Sequence, residues 1–156
     1  MSVEHFVESQ RKEYAGFSQA LREMEAGRKT SHWIWYIFPQ IHGLGRSPIA
    51  QKFALGGRHH AIDFLMNQEL KSNLIAITAV VARQLKAGIP LGTLMGSNID
   101  ALKLVSSITL FESVIQLIKL DGDIEYEEFL KDCQTILSFA ELQGYPRCQH
   151  TLGLLG

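Results

Sequence analysis

The segment from Gly96 to about Lys119 constrains the fold most. Ser97 is followed three residues later by Asp100, a capping-box spacing that opens a helix by satisfying backbone N–H groups at its free end. A long apolar run follows, with Leu104, Ile108, Phe111, Ile115 and Ile118 recurring on one stripe. A helix this apolar has to be covered by other elements, so it belongs at the centre. The expected fold is mainly α: a compact, single-domain, bundle-like arrangement of helices over residues 1–156, with one long helix in the middle.

Helical signals dominate elsewhere too. From Val3 to Ala26, Phe6, Tyr14, Phe17, Leu21 and Met24 read as one helix, stopped by Gly27 just past its C-terminal end. Ser31 is placed to cap a short helix toward Phe38, because the residue before Pro39 is biased out of the α region. Ser47 then Pro48 read as N-cap and first helical residue of a segment through Ile49, Phe53 and Leu55, closed by Gly56 and Gly57. Further helices are expected over Arg58–Met66 and Leu70–Lys86, the latter with Leu74, Ile77, Val81 and Leu85 on one face and Gly88 and Pro90 as its stop. Asp123 caps a helix through Phe129, Ile136 and Phe139, and a short segment near Thr151–Leu155 docks on the body. Period-two alternation is confined to Trp33–Ile37.

Composition narrows the function classes. A chain of 156 residues with 46% apolar and 20% charged residues has enough core to fold without metal or disulfide. Its net charge of -1 implies no general attraction to nucleic acid or to an anionic membrane, so neither is an expected partner. Cys133 and Cys148 are too few for a disulfide framework and read as reduced thiols. The start of the chain is polar, without the apolar centre of a signal peptide, and no uninterrupted apolar run approaches about 18 residues. A cytoplasmic location is the expectation.

The stretch KTSHWIWYIFPQIHGLGRSP, Lys29 to Pro48, crowds His32, Trp33, Trp35, Tyr36 and Phe38 beside polar groups. On a helix, His32, Trp35 and Tyr36 share one face and Trp33, Ile37 and Phe38 the other. Taken alone, such aromatics read as core. Their continuation into Gln40, His42, Gly43, Gly45, Arg46 and Ser47 points to a ligand site. Glycines permit positive φ and close backbone approach, Ser47 opens a helix with free N–H groups, and Arg46 offers a forked donor for phosphate or carboxylate.

A second candidate runs from Gly96 through Asp100 to Lys103, Ser106, Ser107 and Thr109. Lys103 and Ser107 lie one turn apart, with Ser106 adjacent, so a lysine and two hydroxyls face a common cavity in this reading. Ser97 and Asp100 are also explained as helix caps. The run from Asp121 to Phe129 matches the second half of an EF-hand loop. Leu117 and Lys119, however, stand where calcium needs oxygen ligands, so it is read as structural. His59, His60 and Asp63, and Cys148 with His150, fall short of a zinc pattern. No metal or cofactor is expected.

The residues Gly27-Arg28-Lys29, Ser31-His32-Trp33, Phe38-Pro39-Gln40 and Gly43-Leu44-Gly45-x-Ser47 resemble the signature of DUF1810, a bacterial family of unknown function often mislabelled calpastatin. Gly96, Asp100, Lys103, Leu104, Ser106 and Thr109-Leu110-Phe111 are similar to its second motif. The resemblance implies a compact, mainly helical domain and no established activity. It also implies an aspartate shortly before the closing Thr151-Leu152, where this chain carries Cys148 and His150. A looser likeness, in His32-Trp33, Pro39-Gln40 and Asp100, is to helical N-glycosidases that process ADP-ribosyl compounds.

The leading expectation is therefore one pocket lined by His32, Trp33, Trp35, Gln40, Gly43, Gly45, Arg46, Ser47 and Lys103. Its ligand is a small anion of nucleotide or ADP-ribose type. If catalysis occurs, it is N-glycosidic hydrolysis, with His32 or Asp100 moving the proton. The competing reading is a protein-interaction module whose aromatics are purely structural.

Overall fold

A computed structural model describes residues 2–118 and 123–155. Among the described residues the chain forms ten helices and no strand. In order these are α1 (Glu4–Gln10), α2 (Phe17–Glu25), α3 (Ile34–Ile37), α4 (Pro48–Lys52) and α5 (Arg58–Met66). Then follow α6 (Gln68–Lys86), α7 (Leu91–Leu94), α8 (Asn98–Ile118), α9 (Ile124–Leu142) and α10 (Gln149–Leu155). The period-two reading of Trp33–Ile37 gives way to helix α3, and pairing is limited to a single parallel bridge between Ile41 and Leu55.

Helix α8 is central, as its apolar stripe requires. Leu104, Ile108, Phe111 and Ile115 are fully buried, and α5, α7, α9 and α10 all pack on it. By length and composition alone α8 is apolar enough to cross a membrane, yet 67% of its most apolar window is buried within the fold. Phe111 of α8 meets Phe64 of α5, whose ring receives Phe6 of α1 edge-on at 5.2 Å, so aromatic contacts tie the start of the chain to the centre. Helix α6 bridges α2 and α9.

Local punctuation works as read. Gly27, at φ +89°, ends α2 with its N–H donating to the Met24 carbonyl, while the Arg28 N–H donates to that of Glu23. The hydroxyl of Ser47 accepts from the Ala50 N–H at 3.2 Å, and Asp123 accepts from Tyr126 at 3.1 Å. Two further expectations are corrected. The segment from Val3 to Ala26 is two helices, broken at residues 11–16. There the chain folds back so tightly that a Cβ on Gly16 would lie 1.9 Å from the Lys12 carbonyl oxygen. Ser31 caps nothing: its hydroxyl accepts from Gln19 at 2.6 Å, and α3 starts without a side-chain cap. Asp121, Gly122 and Lys119 of the calcium-like motif lie outside the described residues.

Candidate functional site

Glu23 of α2 organises the turn that carries the first motif. One of its carboxylate oxygens accepts from the Thr30 and Ser31 N–H groups at 2.8 and 2.9 Å and from the Trp33 indole N–H at 2.9 Å. Burial pushes this carboxyl up, but bonds from the Ser31 hydroxyl, the Thr30 amide, the Trp33 indole and the Ser31 amide outweigh it and hold it at about 2. Trp33 is sealed in the core at 0% exposure, so its ring presents no surface to a ligand. Trp35 is half-buried, on the other side of α3.

Two lysines join the first motif to the start of α8. Lys29 is buried; its ammonium donates to the Ser31 carbonyl at 2.5 Å, pairs with Asp100 at 2.7 Å and stands 5.0 Å over the Trp33 ring. Its carbonyl oxygen would lie 2.7 Å from a Cβ on Gly96, which sits at φ +82°; only glycine admits that approach. Asp100 reaches a second ammonium, that of Lys103, at 3.9 Å, and Lys103 stands 5.0 Å over Trp35. The capping box is therefore half formed. Ser97 accepts from the Asp100 N–H at 3.1 Å, while the Asp100 carboxylate serves the two lysines.

Around this chain of contacts the surface has three hollows. The first, of about 360 Å³, lies between the loop after α3, the first turns of α8 and the segment before α10. Gln40, Lys103, Ser106 and Cys148 supply its polar groups, and Leu44, Ile99, Leu102, Val105 and Pro146 its apolar walls. A crevice beside it, with room for about 10 Å³, is lined by Trp35, Gln40, Gly43 and Gly45 among others. The third, of about 190 Å³, holds His32 and Asp100 together with Lys29 and Ser97.

The structure thus unites Gln40 with Lys103, and His32 with Asp100, in adjoining places. It does not bring Arg46 or Ser47 to them. Both are exposed, the Arg46 carbonyl accepts from Gln51, and the Ser47 hydroxyl is committed to its helix. The close approaches expected at the glycines are made by the protein itself: His150 lies against Gly43 and Ala50 against Gly45. Ser106, not Ser107, accompanies Lys103; the Ser107 hydroxyl is buried without a hydrogen-bond partner among the described residues. His60 is spent on structure, with one ring nitrogen 2.9 Å from the Gly56 amide and the other 2.8 Å from the Ser2 carbonyl.

Cys148 was not among the candidate site residues. It reaches the hollow because the segment after α9 is pinned to α8. Arg147 forms a two-pronged bond to Glu112 at 3.0 and 2.9 Å, and the Cys148 N–H donates to Thr109 at 3.2 Å. Burial pushes the Cys148 thiol up, but hydrogen bonds from Ser106, from the Thr151 side chain and from the Thr151 and His150 amides outweigh it, leaving the thiol below its ordinary value. Cys133, in the core, is pushed well above its ordinary value by burial.

A model for a protein family of unknown function, DUF1810, matches residues 1–131. The chain belongs to that family. No curated protein matches it. Among solved structures, this DUF1810 chain is similar to the conserved hypothetical protein Rv1873 from Mycobacterium tuberculosis, with a TM-score of 0.71 and 27% identity. The likeness covers 97% of this chain and 94% of that one.

Proposed function

We propose that the hollow between the loop after α3 and the start of α8 binds a small anionic ligand with an apolar or aromatic part, of nucleotide or ADP-ribose type. One observation carries this reading: the hollow of about 360 Å³ has mainly apolar walls, and Lys103 is the charged side chain lining it. Small-molecule sites are about 300–1,000 Å³, largely apolar, with a few convergent polar groups. Lys103 takes the ligand's charge, Gln40 and Ser106 orient it, and Leu44, Ile99 and Leu102 cover its flat part. N-glycosidic hydrolysis is the reaction to assay, since His32 and Asp100 share the adjoining hollow and Asp100 contacts Lys103.

Titration calorimetry with ADP-ribose and AMP tests the reading, with released base followed by chromatography. Lys103→Ala is expected to abolish binding at a cost of about 1 kcal/mol in unfolding, since the mostly buried side chain also gives up its contacts with Asp100 and the Trp35 ring. Arg46→Ala leaves both unchanged. Binding that survives Lys103→Ala counts against the site. A second reading, a docking surface for another protein, is favoured by the exposure of Ile99 and Leu102, at 66% and 54%. Absence of any small-ligand heat, with loss of a partner on Ile99→Ser/Leu102→Ser, supports that alternative.

A further inference from the structure

A fourth hollow, of about 390 Å³, shares no lining residue with the Lys103 hollow. It lies between the turn after α1, α3 and α4. Lys12, His32 and Lys52 reach it, Tyr36 and Phe53 are among its walls, and Ile49 is at its edge. No carboxylate lines it, so the charges converging there have one sign.

The aromatic walls keep the cations in place. Tyr36 and Phe53 are both buried, and their ring centroids lie 5.2 Å apart. The Tyr36 hydroxyl is fixed by donating to the Ala15 carbonyl at 2.6 Å. The Lys12 ammonium stands 5.9 Å over the Tyr36 ring and that of Lys52 5.3 Å over the Phe53 ring. Two lysines are thereby held over neighbouring rigid rings, which lowers the entropy lost when they close on a ligand. Neither has an ion-pair partner among the described residues. His5 stacks on Phe53 beside the hollow; burial is the main cause that lowers its pKa, and the charges of His60 and Lys52 lower it further, against opposing effects of Glu8 and the Lys52 backbone.

From this arrangement we infer that the Lys12–His32–Lys52 hollow is a binding site for an oligophosphate, either a free pyrophosphate-type anion or the diphosphate of a nucleotide. A compact, multiply charged anion matches two convergent ammonium groups and an imidazole, with no lining carboxylate to repel it, and ammonium–phosphate bonds are charge-assisted.

Titration calorimetry on the whole chain tests the inference, with pyrophosphate on the parent and with ADP and adenosine on Lys103→Ala protein, so that the hollow proposed above does not contribute. Saturable binding of pyrophosphate is expected, with ADP at least as tight and adenosine silent. Lys12→Gln and Lys52→Gln are each expected to weaken pyrophosphate about tenfold, the loss of one charge-assisted bond. His32→Gln should weaken it as well, and Lys103→Ala should leave it unchanged, which separates this site from the one proposed above. Equal weakening by Lys86→Gln, a lysine at the C-terminal end of α6 that does not line this hollow, would show that only net charge is being read and would overturn the inference. So would adenosine binding as well as ADP, or no saturable pyrophosphate binding.

Discussion

Replacing Glu23 with glutamine tests the account of the first motif directly. The substitution keeps the shape and removes the charge from a carboxylate oxygen that accepts three N–H bonds at 2.8 to 2.9 Å. A bond to a charged acceptor contributes about 1.5–3 kcal/mol against about 0.5–1.5 for a neutral one, so three bonds lose about 3 kcal/mol together. Solvent reaches this half-buried group, and screening reduces the expectation to about 2 kcal/mol. The pH dependence follows from the sign of the shift. The folded carboxyl lies at about 2 against 4.5 for the ordinary group, so its contribution is present above 4.5 and fades as pH falls toward 2. Urea unfolding followed by tryptophan emission, at neutral pH and at steps down through that window, reads both effects. The parent should exceed Glu23→Gln by about 2 kcal/mol at neutral pH, and the gap should narrow toward pH 2. A gap below about 0.5 kcal/mol at neutral pH, or one that does not narrow in acid, refutes the reasoning.

Three further outcomes follow from contacts described above. Lys29→Met leaves Asp100 without its 2.7 Å partner and should cost about 3 kcal/mol in thermal unfolding, part of it recovered by adding Asp100→Asn. In the folded protein iodoacetamide should alkylate Cys148 and spare the buried Cys133. Ser106→Ala should slow the Cys148 reaction at neutral pH by removing a bond that holds the thiol down, as mass spectrometry would show. Gly43→Ala forces a side chain into φ +93° and onto the His150 ring at 2.9 Å, so a loss of about 1–2 kcal/mol in urea unfolding is expected.

Features made by neighbouring residues were legible in the chain. The Gly27 stop, the Ser47 and Asp123 caps, the bounds of Arg58–Met66 and the central place of α8 each depend on groups a few positions apart or on one periodic stripe. The break after α1 was not legible, because periodicity continues through Tyr14, which the structure leaves 74% exposed. The turn that breaks the helix presses Gly16 against the Lys12 carbonyl, and the remote Tyr36 hydroxyl donates to the Ala15 carbonyl within it. The role of Glu23 was equally hidden, since a glutamate on an amphipathic helix gives no sign of the turn it will organise.

Read alone, the residues determined a helical protein built on one apolar helix. Periodicity and capping are short-range physics and survive in a linear string. The tertiary structure decided which face of each motif met solvent. It buried Trp33, spent Gly43 and Gly45 on internal packing, turned Arg46 away, and delivered Cys148 through the Arg147–Glu112 pair. It also set Lys12 and Lys52 over adjacent rings though forty positions separate them in the chain. A hollow is made where distant segments fail to fill space, and no local preference of any one segment encodes that.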